Sequence, residues 1–237
     1  MPTILVTGAN RGLGLEFVRQ YAADAWTVIA CCRDPGSAAE LQLLAASNSA
    51  ITIEHLDVTD FAAVDALGQK YAGVPVDVLL NNAGIIGPIP IADHIKRQHF
   101  GSMDFDVWNE VLRVNTLAPL KMAEVFLDNV AASEQKKIVT ISSTVGSIGS
   151  IAVPAIAYAS SKSALNRAMT IIAGNLKKRG IIVALFCPGY VKTRMDTYGY
   201  ATVEIVDSIA ALRPMIADLT IEQTGCYRGH DGRVIPW

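Results

Sequence analysis

The chain has 237 residues, 51% of them hydrophobic and only 18% charged, with 20 basic against 22 acidic side chains and a formal net charge of −2. Globular proteins carry about 25% charged residues, so this composition excludes disorder and argues against a nucleic-acid binder relying on bulk positive charge. The length fits one large α/β domain, which can reach roughly 200–250 residues.

Short apolar strands alternate with longer helical segments. TILVT at 3–7 is a β-branched run that stops at Gly8. From 11 to 21, Leu13, Phe17, Val18 and Tyr21 recur at helical spacing. A strand over 27–31 (TVIAC) precedes a helix over 37–46, with Asp34-Pro35 as its start signal. A strand over 51–56 leads to a helix over 61–71, with Thr59 or Asp60 as N-cap. The strand at 76–80 (VDVLL) ends in Asn81-Asn82-Ala83-Gly84. After an irregular stretch over 85–101 come a long helix over 105–130 and a strand over 137–142. A helix over 157–178 stops at Arg179-Gly180, and a strand over 181–186 ends at Pro188-Gly189. A helix over 203–217, interrupted at Pro214, and a short terminal segment complete the chain.

Strands apolar at consecutive positions are buried on both faces. Their alternation with helices, joined by right-handed crossovers, predicts a doubly wound (Rossmann) parallel sheet with helices on both faces. No linker or repeat divides it, so a single dinucleotide-binding and catalytic domain over 1–237 is expected, with a substrate loop and helix at 194–218. The N-terminus MPTILVTGANRG lacks the pattern of a signal peptide. The longest apolar run, 151–159, contains Pro154 and falls short of the roughly 18 residues of a membrane helix. Cys31, Cys32, Cys187 and Cys226 form no C-x-x-C pair, and His55, His94, His99 and His230 are scattered. A cytoplasmic protein without metal, membrane or nucleic-acid partner is expected.

Thr7-Gly8-Ala9-Asn10-Arg11-Gly12-Leu13-Gly14 follows the first strand and opens the first helix, the context a nucleotide-binding loop requires. Glycines let the backbone approach a pyrophosphate, which the helix N-terminus stabilises. Gly8, Asn10, Arg11, Gly12, Leu13 and Gly14 are its candidate contacts. The spacing is G-x-x-x-G-x-G rather than G-x-G-x-x-G. Where an acidic residue at the end of strand two would bond a ribose 2′-hydroxyl, the segment reads Ala30-Cys31-Cys32-Arg33-Asp34, with Cys31 at the acceptor position. Arg11 and Arg33 suit a 2′-phosphate, which favours NADP(H). Asp34 is the counter-argument, unless it starts the helix before which it stands. Asp57, with Val58 at the end of strand three, is placed to bond the adenine or to serve as a turn residue.

Tyr158 and Lys162 lie four residues apart, on one face of a helix. A neighbouring ammonium lowers a phenol's pKa from about 10 toward the working range. Strand five ends in Ile141-Ser142-Ser143, where a hydroxyl enters the crevice at the carboxyl ends of the strands or caps the next turn.

Taken together, T-G-x-x-x-G-x-G at 7–14, N-N-A-G at 81–84, Asn115, I-S-S at 141–143, Y-x-x-x-K at 158–162 and P-G-x-V-x-T at 188–193 resemble the short-chain dehydrogenase/reductases along nearly the whole chain. C-R-D-P after strand two and D-G-x-x-x-P-W at 231–237 look most like the C-factor/sniffer-type carbonyl reductases. The resemblance implies that Tyr158 is the general acid, Lys162 bonds the nicotinamide ribose, Ser143 orients the substrate oxygen and Asn115 holds a relay water. It also implies that Asn82, Ala83 and Gly84 line the adenosine half of NADP(H), and that Pro188, Gly189, Val191 and Thr193 hold the nicotinamide end.

The interval from Ser143 to Tyr158 is longer than usual in that family, which leaves Ser142 as an alternative hydroxyl. The stretch from Gly84 to Asn115 is also longer than typical, which makes 85–99 a lid, a substrate wall, an interface arm or a solvated loop. Met195, Tyr198, Tyr200, Ile205 and Val206 offer an apolar substrate lining or belong to the core. The long helices over 105–130 and 157–178 are apolar on more than one face, and because such helices form the shared bundle in many dimers of that family, the resemblance implies a homodimer or homotetramer. The expected activity is hydride transfer between NADPH and a small carbonyl or alcohol substrate. An NAD-dependent alcohol or hydroxysteroid-type dehydrogenase and a dinucleotide-binding signalling protein are the alternatives.

Overall fold

Every residue of β1 (Thr3–Thr7), β4 (Val78–Asn81), β5 (Lys137–Ile141) and β6 (Ile182–Cys187) is buried, and their side chains divide by parity. Ile4, Val6, Val78, Leu80 and Val139 enter one core, while Leu5, Leu79 and Ile138 enter the other. The first core is closed by α1 (Gly12–Ala23), α2 (Ala39–Ser47) and α9 (Ile205–Ala217), through Phe17, Leu41, Ile209 and Leu212. The second is closed by α3 (Phe61–Lys70), α6 (Ala118–Val125) and α8 (Ile156–Leu176), through Val64, Met122, Leu165 and Met169. The computed structural model describes residues 1–150, 153–196 and 198–237.

With β2 (Thr27–Cys32), β3 (Ile51–His55) and β7 (Cys226–Gly229), the strands form one parallel seven-stranded sheet in the order β3-β2-β1-β4-β5-β6-β7. This is the expected doubly wound architecture. The winding reverses between β1 and β4, so a crevice opens at their carboxyl ends. Among the described residues no helix is long and apolar enough to cross a membrane.

Four features differ from the sequence reading. β7 was read only as a terminal segment; its Cys-Tyr-Arg-Gly alternates between half-buried and buried, a four-residue edge strand too short to show a period. The stretch over 85–101 contains α4 (Ile91–His94) and a 3-10 turn, Ile95–Gln98. The helix expected over 105–130 is broken into α5 (Phe105–Leu112), a π turn at Arg113–Leu117, α6 and α7 (Leu127–Ala131). Pro214 does not interrupt its helix: its ring is exposed within α9, and its carbonyl still accepts from Asp218 N at 2.9 Å.

Candidate active site

After Thr7 the chain turns at once, with Gly8 at φ 68° and Gly12 at φ 56°, a left-handed backbone that favours glycine. A Cβ on Gly14 would lie 2.2 Å from the Gly8 carbonyl oxygen. Thr7 Oγ1 accepts from the amides of Asn82 and Ala83 at 3.0 Å each, and Asn82 Nδ2 donates to Thr7 O at 2.9 Å. Asn82 and Ala83 therefore tie the end of β4 to the glycine loop and hold its shape. Arg11 occupies the N-cap of α1 in extended conformation and makes no side-chain cap bond. The first N–H groups of that helix are left for an anion.

Arg11, Arg33 and Arg194 are all exposed, and none is ion-paired among the described residues. Partial burial and the like charges of Arg194 and Arg33 lower the pKa of the Arg11 guanidinium. A phosphate dianion relieves such a cluster by charge-assisted hydrogen bonds. Arg194, one residue beyond the P-G-x-V-x-T motif, was missed in the sequence; its charge beside that motif was the available signal. Asp34 does not compete for this site, because its carboxylate caps the turn Pro35–Ser37 through Ser37 N at 3.2 Å.

Cys31 is not at an acceptor position. β2 runs one residue further than expected, and alternation turns the Cys31 thiol into the core with Leu5, Leu56 and Val58, where burial pushes its pKa up. The Val58 side chain is in the same core. Asp57 Oδ1 accepts from Thr59 N and Thr59 Oγ1 at 2.8 and 2.7 Å. Partial burial opposes them, but these bonds hold the carboxyl below the usual range.

Beyond the glycine loop opens a cavity of about 970 Å³. It brings together Leu13, Asn82, Gly84, Ser143, Tyr158, Lys162, Pro188, Gly189, Val191 and Thr193 of the expected set. A Cβ on Gly84 would stand 3.4 Å from Asn115 Oδ1 and 3.7 Å from Lys162 Nζ, so glycine keeps open the space between these two groups. Gly189 has φ 89°, and the His230 imidazole packs where its Cβ would be, 2.6 Å away. Ile86, Ile91 and Ile95 also line the cavity, which makes the 85–101 stretch one of its walls. Met195 and Tyr198 line it too, whereas Tyr200 and Val206 are exposed and stand outside it with Ile205.

Tyr158, Lys162 and Asn166 lie on one face of α8, four residues apart. Lys162 is only 5% exposed, and its Nζ donates to Ile141 O at 2.9 Å. Burial pulls its pKa down to about 8. Burial pushes the Tyr158 phenol up to about 12, against a hydrogen bond with the Ser143 hydroxyl. The lowering expected from the Lys162 ammonium is therefore not found: burial outweighs it and keeps the phenol in its protonated form. Ser142 lines the cavity as well, but it is buried and donates its hydroxyl to Asn166 Oδ1 at 2.6 Å, while Ser143 meets Tyr158.

Asn115 sits in the π turn, fully buried. Its Nδ2 donates to Ile85 O and Ser161 Oγ at 2.8 and 3.0 Å, and its Oδ1 accepts from Ile85 N at 2.9 Å. π turns concentrate at functional sites. Three further supports were not read from the sequence. Asn166 continues the i+4 series from Lys162, a signal that was available. Tyr227, on β7, donates its hydroxyl to Ser143 O from behind. Gln98, in the 85–101 wall, accepts from Tyr158 N at 3.0 Å.

The family model described as short chain dehydrogenase matches residues 2–203. An uncharacterized oxidoreductase of Schizosaccharomyces pombe is 32% identical over 98% of this chain and 96% of its own. The crystal structure of an NADPH-bound carbonyl reductase from chicken fatty liver superposes with a TM-score of 0.90, at 31% identity, covering 100% of this chain and 99% of that one. The carbonyl reductase Sniffer of D. melanogaster gives 0.87 at 29% identity, covering 100% of both chains. Glycine loop, serine, tyrosine and lysine stand at one crevice of one parallel sheet, and the chain belongs to the short-chain dehydrogenase family.

Proposed function

We propose that this oxidoreductase reduces a ketone or aldehyde with NADPH, Tyr158 being the proton donor. The observation that carries this reading is the convergence of Ser143, Tyr158 and Lys162 on one cavity beside the glycine loop. The solved structure of an NADPH-bound carbonyl reductase with the same fold supports the choice of cofactor.

The residues fit such a dinucleotide. The glycine loop and the open end of α1 would hold the pyrophosphate, and Arg11, Arg33 and Arg194 the 2′-phosphate. Asp57 and Val58 would face the adenine, Lys162 the ribose beside Gly84, and Pro188, Gly189, Val191 and Thr193 the nicotinamide end. When bound, the cofactor supplies the hydride.

The protein supplies placement and the proton. Ser143 donates to the substrate oxygen and orients it, and Tyr158 delivers its phenolic proton to that oxygen. The buried Lys162 ammonium stabilises the phenolate left behind. Both amide hydrogens of Asn115 are spent on Ile85 and Ser161, so a relay water would be accepted by the remaining lone pair of Oδ1, across Gly84 from Lys162. Met195, Tyr198, Thr202 and Val203 of the loop after Thr193 would line the substrate, whereas the helix expected to close over it, α9, packs in the first core; residue 197 lies outside the described residues.

A panel of carbonyl compounds assayed with NADPH and NADH, with Tyr158→Phe as control, tests the reading. Turnover with NADPH that Tyr158→Phe abolishes supports it; unchanged turnover in that variant rejects the proton donor. Equal or better kcat/KM with NADH rejects the cofactor choice. We also place the protein in the cytoplasm, where its four free cysteines would remain reduced. Exposed Phe105 on α5, Leu117 beside α6 and Ile171 on α8 support a homodimer or homotetramer built on these helices. A monomer in light scattering at micromolar concentration would remove that assembly.

A further inference from the structure

The catalytic helix begins without a cap of its own. The residue before α8 is Ala155, whose side chain can accept nothing, although the first N–H groups of a helix have no partner within it. Tyr158 is the third residue of α8, and its N–H is one of these groups. It donates instead to Gln98 Oε1 at 3.0 Å, sixty residues earlier in the chain. Gln98 is 0% exposed, and its Nε2 donates to Ile86 O at 2.6 Å. A Cβ on Gly87 would lie 2.8 Å from that Nε2, and Gly87 has φ 117°, so the backbone beside it is shaped to admit the glutamine.

The carbonyl of Tyr158 is held from the other side. Ser161 Oγ donates to it at 2.7 Å and in turn accepts from Asn115 Nδ2 at 3.0 Å, while Asn115 grips both Ile85 N and Ile85 O. Two carboxamides thus connect the two main-chain groups of Tyr158 to the adjacent residues Ile85 and Ile86. Ile86 lines the cavity, so wall and tyrosine form one unit. The Arg97–Asp104 ion pair at 2.6 Å and the Asp104 N to Arg97 O bond at 2.8 Å close the segment behind Gln98.

We propose that Gln98 is a positioning residue for the reaction: it caps α8 at Tyr158 and fixes the phenol relative to the Ile86 wall. The inference rests on the reading of Tyr158 as proton donor. A misplacement of about 1 Å can cost on the order of 10²-fold in rate. Removing this bond therefore lowers kcat and leaves in place the glycine loop and Arg11, Arg33 and Arg194, none of which bonds Gln98 among the described residues.

Gln98→Met keeps length and bulk without either hydrogen bond. It is expected to lower kcat about 10- to 100-fold, with KM for NADPH and the far-UV circular dichroism close to wild type. In the cofactor-free protein, hydrogen exchange at the Tyr158 amide should accelerate. Gln98→Glu adds a readout that a merely space-filling role would not move. Its protonated carboxyl can donate to Ile86 O and accept from Tyr158 N, whereas the ionised form sets an oxygen against the Ile86 carbonyl. The ratio of its kcat to wild type should rise as pH falls.

Wild-type kcat and wild-type amide exchange in Gln98→Met would overturn the inference, provided Tyr158→Phe is inactive. If Tyr158→Phe is also fully active, it is the assignment of the proton donor that fails. Should Gln98→Met not fold, Gln98→Glu decides: a ratio rising with acid supports the cap, and a flat ratio overturns it.

Discussion

Ser142 Oγ and Asn166 Oδ1 meet at 2.6 Å inside the protein, and this bond gives two adjacent serines different work. Ser143→Ala is expected to lower kcat by about 10²- to 10³-fold, as for loss of a donor to a developing oxyanion, with little change in Tm. Ser142→Ala should do the reverse: it leaves the buried Asn166 oxygen short of a donor and destabilises the fold by about 1–3 kcal/mol. Thermal melts and steady-state kinetics on both variants check this, and a larger kcat loss in Ser142→Ala would reverse the assignment.

Lys162 gives a pH-dependent prediction of opposite sign for stability and activity. Burial lowers its pKa from 10.5 to about 8. Below about 8 both folded and unfolded chains carry the proton, and the folded state bears the full cost of the buried charge. Between about 8 and 10.5 the folded chain has released its proton first, so stability from this group rises with pH. At about 1.4 kcal/mol per pH unit, the penalty at neutral pH is on the order of 3 kcal/mol, reduced on substitution by loss of the bond to Ile141 O. Lys162→Met should therefore melt higher than wild type at pH 7 in the cofactor-free state and show a weaker rise above pH 8, while turnover collapses. A lower Tm at pH 7 would contradict this.

The three arginines should separate the two nicotinamide dinucleotides. Replacing Arg11, Arg33 or Arg194 by Gln removes a charge-assisted bond of about 1.5–3 kcal/mol, so the preference for NADPH over NADH should fall roughly 10- to 100-fold for each. The loss should shrink at high salt, since the cluster is exposed. Titration of each variant with both cofactors measures it, and equal weakening toward NADPH and NADH would place the arginine elsewhere.

Gly146 is where the serine loop rests on α8. A Cβ there would lie 2.7 Å from Lys162 Cβ and 2.9 Å from the Lys162 carbonyl carbon. Its own carbonyl accepts from Ser163 Oγ and Asn166 Nδ2 at 2.9 and 3.2 Å. Gly146→Ala should force loop and helix apart at a cost of about 1–3 kcal/mol and lower kcat together with Tm. Unchanged melting in that variant would show that the loop has room to move.

The sheet was legible in the sequence because its strands are apolar at consecutive positions, a pattern that only two-sided burial requires. The site was legible where motifs sit at the carboxyl ends of those strands, as at Gly8, Ser143 and Pro188, and where helical spacing pairs Tyr158 with Lys162. Supports acting over long sequence separations were not. Gln98 reaches Tyr158 across 60 positions and Tyr227 reaches Ser143 across 84, and neither pairing leaves a period or spacing in the chain. Cys31 was misplaced because parity fixes which face a strand residue takes, and one extra residue in β2 moves its boundary.

Because all seven strands run the same way, the cavity and cofactor loops lie at one end of the sheet and the helix-to-strand turns at the other. Two of those return turns place a residue other than glycine in the left-handed region, Ala25 at φ 61° before β2 and Lys136 at φ 54° before β5. Ala25→Gly and Lys136→Gly relieve that strain, offset in part by the greater conformational entropy that glycine gives the unfolded chain, for a net gain of up to about 1 kcal/mol each, read as a rise in Tm. The molecule therefore offers a place to adjust thermal robustness on the opposite side from its chemistry, so that hardening the scaffold and reshaping the pocket can proceed as separate engineering problems.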